Sequence, residues 1–116
     1  MQKTNLCLLG VIALAAAGCQ PVQKYYWGSY QDVVYVSYAE PGKVSPEAQI
    51  KILEADVSSA EAQHKTLPPG FRAHLGYLYS KIGNKEAARS NFEAEKRQFP
   101  ESAVLMDRLL TNLARS

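Results

Sequence analysis

The chain has 116 residues and a formal net charge of +2, with 47% hydrophobic and 21% charged residues. This length suits one domain with a modest core. Because the sequence has neither a basic tract nor an acidic tail, it argues against a nucleic-acid partner.

The chain begins with features of a secretory signal. Lys3 is followed by the apolar run 6–17, which is shorter than the roughly 20 residues that a membrane-spanning helix needs. The run ends in small residues, as is typical before a signal-peptidase site. The sequence therefore predicts a signal peptide over residues 1–18.

The stretch Ala16-Ala17-Gly18-Cys19 resembles the lipobox of bacterial lipoproteins, although Ala16 stands where leucine is preferred. The resemblance implies lipid on Cys19 as the first mature residue, attached to the membrane by its acyl chains. Gln20, in place of Asp, resembles the class sorted to the outer membrane, facing the periplasm. The alternative is an ordinary signal peptide. If Cys7 is removed and Cys19 lipidated, the mature chain has no disulfide.

Residues 19–44 read as a lipidated cysteine, a tether and an aromatic-rich segment. Ser29 is a candidate N-cap, and Tyr30, Val34 and Tyr38 share one helical face, so a helix is predicted at about 30–39. The aromatic residues favour either packing or a partner-binding surface, and the two interpretations stay open for Tyr25, Tyr26, Trp27 and Tyr30.

Residues 45–116 read as a helical domain. Ser45-Pro46 is a typical helix start, and an apolar stripe then predicts a helix over 46–67, which the following two prolines end. Helices at about 71–82 and 85–98 are separated by Gly83 and Asn84. A last helix is predicted at about 102–114, with Leu105, Met106, Leu109, Leu110 and Leu113 on one side. The expected fold class is all-α, with about four to five helices.

The predicted hairpin resembles a tetratricopeptide repeat, a 34-residue helix–turn–helix unit. The matching positions, with the spacing of that repeat, are Leu75, Gly76, Tyr79, Gly83, Ala88, Phe92 and Pro100. Arg72 and Glu95 depart from the pattern. The first helix of such repeats lines a concave face, which implies Ala73, Tyr77, Ser80 and Lys81 as partner-binding positions.

The mature chain as a whole resembles a family of short bacterial lipoproteins classed only as a domain of unknown function. The resemblance is carried by the stretches "YYWGSY", "LPPGFRAHLGYLY" and "EKRQFPES". Members are commonly encoded beside a lipoprotein related to the curli secretion channel and beside another small lipoprotein. The resemblance therefore implies a role in an envelope assembly, with no activity attached.

No motif for catalysis, metal or cofactor binding stands out. His64 and His74 lack neighbours at metal-ligand spacing and are interpreted as structural, while Glu93, Glu95 and Lys96 are interpreted as a solvated face. We therefore expect no enzyme and no cofactor, but an anchored adaptor or assembly factor for envelope proteins. A pilotin-like carrier of an outer-membrane subunit is the alternative, and a small periplasmic hydrolase is a weaker one.

Overall fold

The computed structural model describes residues 18–19 and 21–116, so most of the expected signal peptide lies outside the described residues. The all-α class is confirmed: the described part of the chain holds five α-helices and no sheet. These helices are α1 (Tyr30–Ala39), α2 (Pro46–Ala62), α3 (Phe71–Lys81), α4 (Lys85–Gln98) and α5 (Ala103–Arg115), with a 3₁₀ turn at Pro100–Ser102 before α5.

The aromatic segment before α1 is tied to the loop after α2. Tyr25 forms an isolated parallel bridge with Thr66, and the backbone N–H of Tyr26 donates to the Thr66 carbonyl over 2.8 Å. These bonds satisfy backbone groups that would otherwise need water. The segment is therefore an ordered layer of the domain.

The start of α1 is capped by a neighbouring helix. The expected cap, Ser29, makes no side-chain capping bond. Its backbone N–H instead donates to Oδ2 of the buried Asp56 in α2 over 2.7 Å. Gly28, at φ +45°, lets the chain pass this carboxylate, because a Cβ there would lie 2.4 Å from Oδ1 of Asp56. A carboxylate at a helix N-terminus is favourable.

The predicted face of α1 is shifted by one position. Val33 is the buried apolar residue of this helix, while Tyr38, expected on the inner stripe, is 71% exposed. Tyr30 lies half-buried between these extremes. The helix therefore buries a narrow strip and leaves tyrosine rings accessible to solvent.

The helix predicted over 46–67 is too long. Ser45 caps α2 by accepting from the Ala48 N–H over 3.2 Å, as predicted, but the helix ends at Ala62. His64, which lies inside the predicted helix, has φ +52° and is exposed. Leu67 is buried, but it lies in the extended stretch after the helix. Its spacing agrees with the apolar stripe, and for that reason the stretch was predicted to be helical.

Helices α3 and α4 form an antiparallel hairpin. Gly83 adopts φ +80° in the connection, and the Asn84 side chain accepts from the Ala87 N–H over 3.0 Å, which caps α4. Gly76 of α3 faces Phe92 of α4, and a Cβ on it would come within 2.7 Å of that ring. The close approach of these two helices therefore depends on a glycine.

The last helix, α5, packs mainly on α4. Met106 and Leu113 are buried there, and Leu109 and Leu110 are partly buried. The prediction that Leu105 shares this inner face is wrong, because Leu105 is 55% exposed. Lys96 of α4 forms a salt bridge with Asp107 on the outer side of this contact.

The starts of α1, α3 and α5 lie at the same end as the last turns of α2 and α4. This arrangement follows from contacts such as Tyr30 with Phe71, Ser29 with Asp56 and Gly70 with Glu95. The aromatic segment 25–29 lies at this end too. We call it the anchor end, defined by residues 25–29, 63–70 and 99–102.

Candidate functional site

A groove runs along the exposed side of α3. Three adjoining hollows of about 300 to 380 Å³ all include Tyr77 in their lining. The floor is formed by Ala73 and Tyr77, one wall by Tyr38 of α1, and the other by Leu109 of α5. We call this surface the Tyr77 groove. Concave surfaces with mainly apolar linings and a few polar groups are typical binding sites.

The expected partner-binding residues of α3 lie along this groove. Tyr77 is 39% exposed, and the Lys81 Nζ lies over its ring at 5.2 Å from the centroid. Ser80 lines the hollow beside α5, together with Lys85 at the start of α4. The groove therefore changes from apolar near Ala73 to basic near Lys81 and Lys85.

His74 lies beneath the groove wall and holds α1 against α3. Its Nε2 is 3.4 Å from the Ser37 hydroxyl, which in turn donates to Oε1 of the buried Gln49. The Gln49 amide donates to the Val44 carbonyl over 2.8 Å. Burial lowers the pKa of His74 below its ordinary value of 6.5. The neutral imidazole is therefore the form that suits this position.

The aromatic residues expected as either packing or partner surface differ in how deeply they are packed. Tyr30 packs on Phe71, with ring centroids 5.2 Å apart, and Tyr26 is partly buried against the core. Tyr25 makes an edge contact with Phe99, and Trp27 stacks on Tyr30 while 37% of its surface stays exposed. The rings therefore form one continuous layer, and Trp27 is its solvent-exposed end.

The positions that carried the repeat resemblance lie at the contact between α3 and α4, in its turn and after it. Leu75 and Ala88 are fully buried, and Phe92 is 3% exposed against Gly76. Tyr79 is partly buried and touches the cores on both sides of the hairpin. Gly83 forms the turn, and Pro100 begins the 3₁₀ turn after α4.

The Tyr79 hydroxyl also joins α3 to α2. It donates to Oε1 of Glu54 over 2.8 Å. Burial raises the pKa of Tyr79 to about 12, with a further contribution from this hydrogen bond to a carboxylate. The neutral phenol is therefore held as a hydrogen-bond donor between the two helices.

Glu95 is the clearest error of the sequence analysis. It was expected on a solvated face, yet it is 2% exposed, and its Oε1 accepts from the Gly70 N–H over 2.6 Å. Its Oε2 has no hydrogen-bond partner in the described part of the chain. Burial and then the charge of Glu95 raise the pKa of Tyr30. Glu95 therefore caps the start of α3 from α4.

Sequence reasoning missed both buried carboxylates, Asp56 and Glu95. Each caps a different helix from a distance in the chain, so no local capping pattern marks it. The one usable signal was the departure of Glu95 from the repeat pattern, since an acid in place of a small inward residue needs a buried partner. Gly28 and Gly70, which approach these acids, were not singled out in the sequence either.

Other features of the described residues bear on chemistry and location. Cys19 is exposed and free of any disulfide. No group of three or more His, Cys, Asp or Glu among residues 18–19 and 21–116 is placed to hold a metal ion. Within the same residues, no helix combines the length and apolar character needed to cross a bilayer.

Comparisons with known proteins place the chain in a family. No curated protein and no solved structure matched it. Residues 24–109, from the aromatic segment to the groove wall of α5, match the model of a family described as Domain of unknown function (DUF4810). This match covers most of the chain and confirms the expected classification as a domain of unknown function, while the lipoprotein character stays a prediction. The chain belongs to the DUF4810 family.

Proposed function

We propose that this protein is an outer-membrane-anchored periplasmic lipoprotein that holds a segment of another envelope protein in the Tyr77 groove. The observation that carries the proposal is the groove itself, an open concave surface whose walls come from α1 and α5 and whose floor is α3. Lipid on Cys19 would supply the anchor, and the exposure of Cys19 is compatible with that role.

The packing of the hairpin supports a repeat-like adaptor. The approach of α3 and α4 at Gly76 and Phe92, and the glycine turn at Gly83, have the form expected for a tetratricopeptide-like unit. Because one such unit leaves faces uncovered, α2 on one side and α5 on the other complete its packing. The first helix of the unit is then left to line the binding face.

The chemistry of the groove indicates the kind of segment that fits. An apolar or aromatic side chain would lie on Ala73 and Tyr77, between Tyr38 and Leu109. A carboxylate on the same segment would meet Lys81 or Lys85 at the far end. The preferred ligand is therefore a short acidic peptide with one large apolar anchor residue.

The resemblance to lipoproteins encoded beside curli-channel-like lipoproteins indicates the first partner to test. A channel of that class, or a companion lipoprotein, would offer the acidic segment to the groove. An adaptor of this kind would remain in a stable complex with its partner, whereas a pilotin-like carrier would release its client at the membrane.

The test is a pull-down in mild detergent from the native membranes, with mass spectrometry of the bound proteins. We expect a lipoprotein partner with the wild-type protein, and its loss with Cys19→Ser. Tyr77→Ala and Lys81→Glu should weaken capture about ten-fold or more, since central aromatic and charged contacts carry most interface energy.

Tyr35→Ala is the matched control, because Tyr35 is a tyrosine of α1 that is 63% exposed and does not line the Tyr77 groove. This variant should capture the partner as the wild type does. Equal capture by Tyr77→Ala, Lys81→Glu and the wild type would contradict the groove. Capture of no stable partner by the lipidated protein would contradict the adaptor role altogether.

A further inference from the structure

The aromatic layer at the anchor end, together with the residues that precede it, exposes apolar side chains to solvent. Trp27 is 37% exposed, and Val22, three residues after Cys19, is 95% exposed. Tyr25 links this edge to Phe99 at the end of α4, so the layer is backed by the folded domain. The proposed groove uses none of these residues.

The chain length limits where this edge can lie. Five residues separate Cys19 from Tyr25. A fully extended chain spans at most about 3.6 Å per residue, so Tyr25 lies within about 22 Å of a lipidated Cys19. Trp27, two residues further, is held beside Tyr25 by an edge contact with centroids 6.4 Å apart. The anchor would thus keep this edge at the bilayer surface.

The chemistry of the edge suits a lipid headgroup region. Trp and Tyr concentrate at that level of a membrane, because their rings have an apolar body and a polar tip. Lys24, above the Tyr25 ring at 5.2 Å, and Lys65 flank the bridge between Tyr25 and Thr66. Exposed Glu61 and Glu101 lie near the same end, so the rings rather than net charge would dominate the contact.

We propose that Trp27, with Tyr25 and Val22, rests in the headgroup region of the membrane and fixes the orientation of the domain. This inference rests on the proposed lipidation of Cys19. In this orientation the helices rise from the membrane at their anchor end. The basic end of the Tyr77 groove, at Lys81 and Lys85, then points away from the bilayer, where a partner approaches.

The test uses the fact that Trp27 is the single tryptophan of the chain. The lipidated, processed protein is reconstituted into phosphatidylcholine vesicles whose acyl chains carry bromine next to the headgroup, and into vesicles without bromine. Because ring insertion places Trp27 at headgroup level, we expect about a two-fold loss of its fluorescence in the brominated vesicles.

A double variant, Trp27→Phe with Tyr77→Trp, moves the single tryptophan to the groove and serves as the control. Its fluorescence should be the same in both vesicles, and its circular dichroism should match the wild type. Mass measurement of the N-terminal peptide establishes whether Cys19 carries lipid. Unquenched Trp27 in a lipidated protein overturns this inference but leaves the anchored adaptor intact. A chain without lipid on Cys19 overturns both.

Discussion

The domain has two apolar clusters of very different size, one on each side of the α3–α4 hairpin. The first, between α1, α2 and α3, has nine buried residues, including the fully buried Leu53, Phe71 and Leu75. The second, between α4 and α5, has four. Stability scales with buried apolar area, so the first cluster holds the fold together and the second holds one wall of the groove.

This difference indicates how the groove behaves. Its floor, α3, belongs to the large cluster, while the wall with Leu109 belongs to a helix that packs mainly on α4. Elements with few buried contacts open at lower free-energy cost than the core does. The groove therefore combines a firmly packed floor with a wall that should open at a lower free-energy cost.

The largest loss of stability is expected from shortening a side chain of the first cluster. Leu53→Ala should lower the free energy of unfolding by about 3 to 5 kcal/mol, because it leaves a cavity in a fully packed site. Met106→Ala, at the 1% exposed centre of the second cluster, should cost about 2 kcal/mol. Urea unfolding measures both losses.

Hydrogen exchange separates the two variants further. In Met106→Ala, amides of α5 should exchange faster while those of α2 and α3 stay protected. Simultaneous exchange of all helices in this variant, with a loss equal to that of Leu53→Ala, would mean that the clusters form one cooperative unit.

Removing the buried cap that joins the two sides should have the next largest effect. Glu95→Ala leaves the Gly70 N–H without its acceptor, which should cost about 2 to 3 kcal/mol in thermal or urea unfolding. Glu95→Gln should cost less, since its amide oxygen still accepts that bond. If Glu95→Ala unfolds like the wild type, water satisfies the Gly70 N–H and the cap is unimportant.

Replacing Gly76, which lies between the clusters, should cause a smaller loss of stability. Gly76→Ala brings a Cβ within 2.7 Å of Phe92, so it should destabilise the chain by about 1 to 2 kcal/mol through overpacking. Gly83→Ala is the control: its φ is +80° and its Cβ would meet open space, so it should cost about 1 kcal/mol from backbone strain alone. Increased stability of Gly76→Ala, from helix propensity, would refute the tight contact.

The smallest expected effect is a pH dependence located in the first cluster. Burial lowers the folded-state pKa of His74 below 6.5, so the unfolded chain binds more protons as the pH falls. The stabilisation is complete above about pH 6.5 and is lost progressively below it. Urea unfolding between about pH 7.5 and 5.5 should show this loss in the wild type and less of it in His74→Gln.

The other histidine gives the control for this experiment. His64 is exposed, so His64→Gln should keep the wild-type pH dependence. The prediction would be contradicted if His74→Gln kept the wild-type pH dependence of stability.

Local sequence signals predicted most of the helices. The caps at Ser45 and Asn84 and the turn at Gly83 depend only on neighbours along the chain, and the bounds of α1 and α4 agree with the predictions. The predicted end of α2 was wrong because His64, at φ +52°, closes a C-terminal turn in which the Lys65 N–H donates to the Ala60 carbonyl over 2.9 Å. Thr66 then pairs with Tyr25, which is 41 residues away in the chain.

The site was harder to predict because its parts lie far apart in the chain. Tyr77 and Lys81 were expected from a repeat pattern, but the groove walls at Tyr38 and Leu109 come from helices that are distant in sequence. The buried caps at Asp56 and Glu95 are long-range contacts as well. Periodicity assigned both acids no buried role, since it records the face of one helix and not what lies against it.

The close passage of Gly28 beside Asp56 constrains how this family evolves. A larger residue at position 28 would collide with the carboxylate that caps α1. The two positions should therefore vary together among homologues, with glycine retained wherever position 56 is acidic. Where the acid is absent, position 28 should accept other residues, and a serine, threonine or asparagine at position 29 should take over the cap.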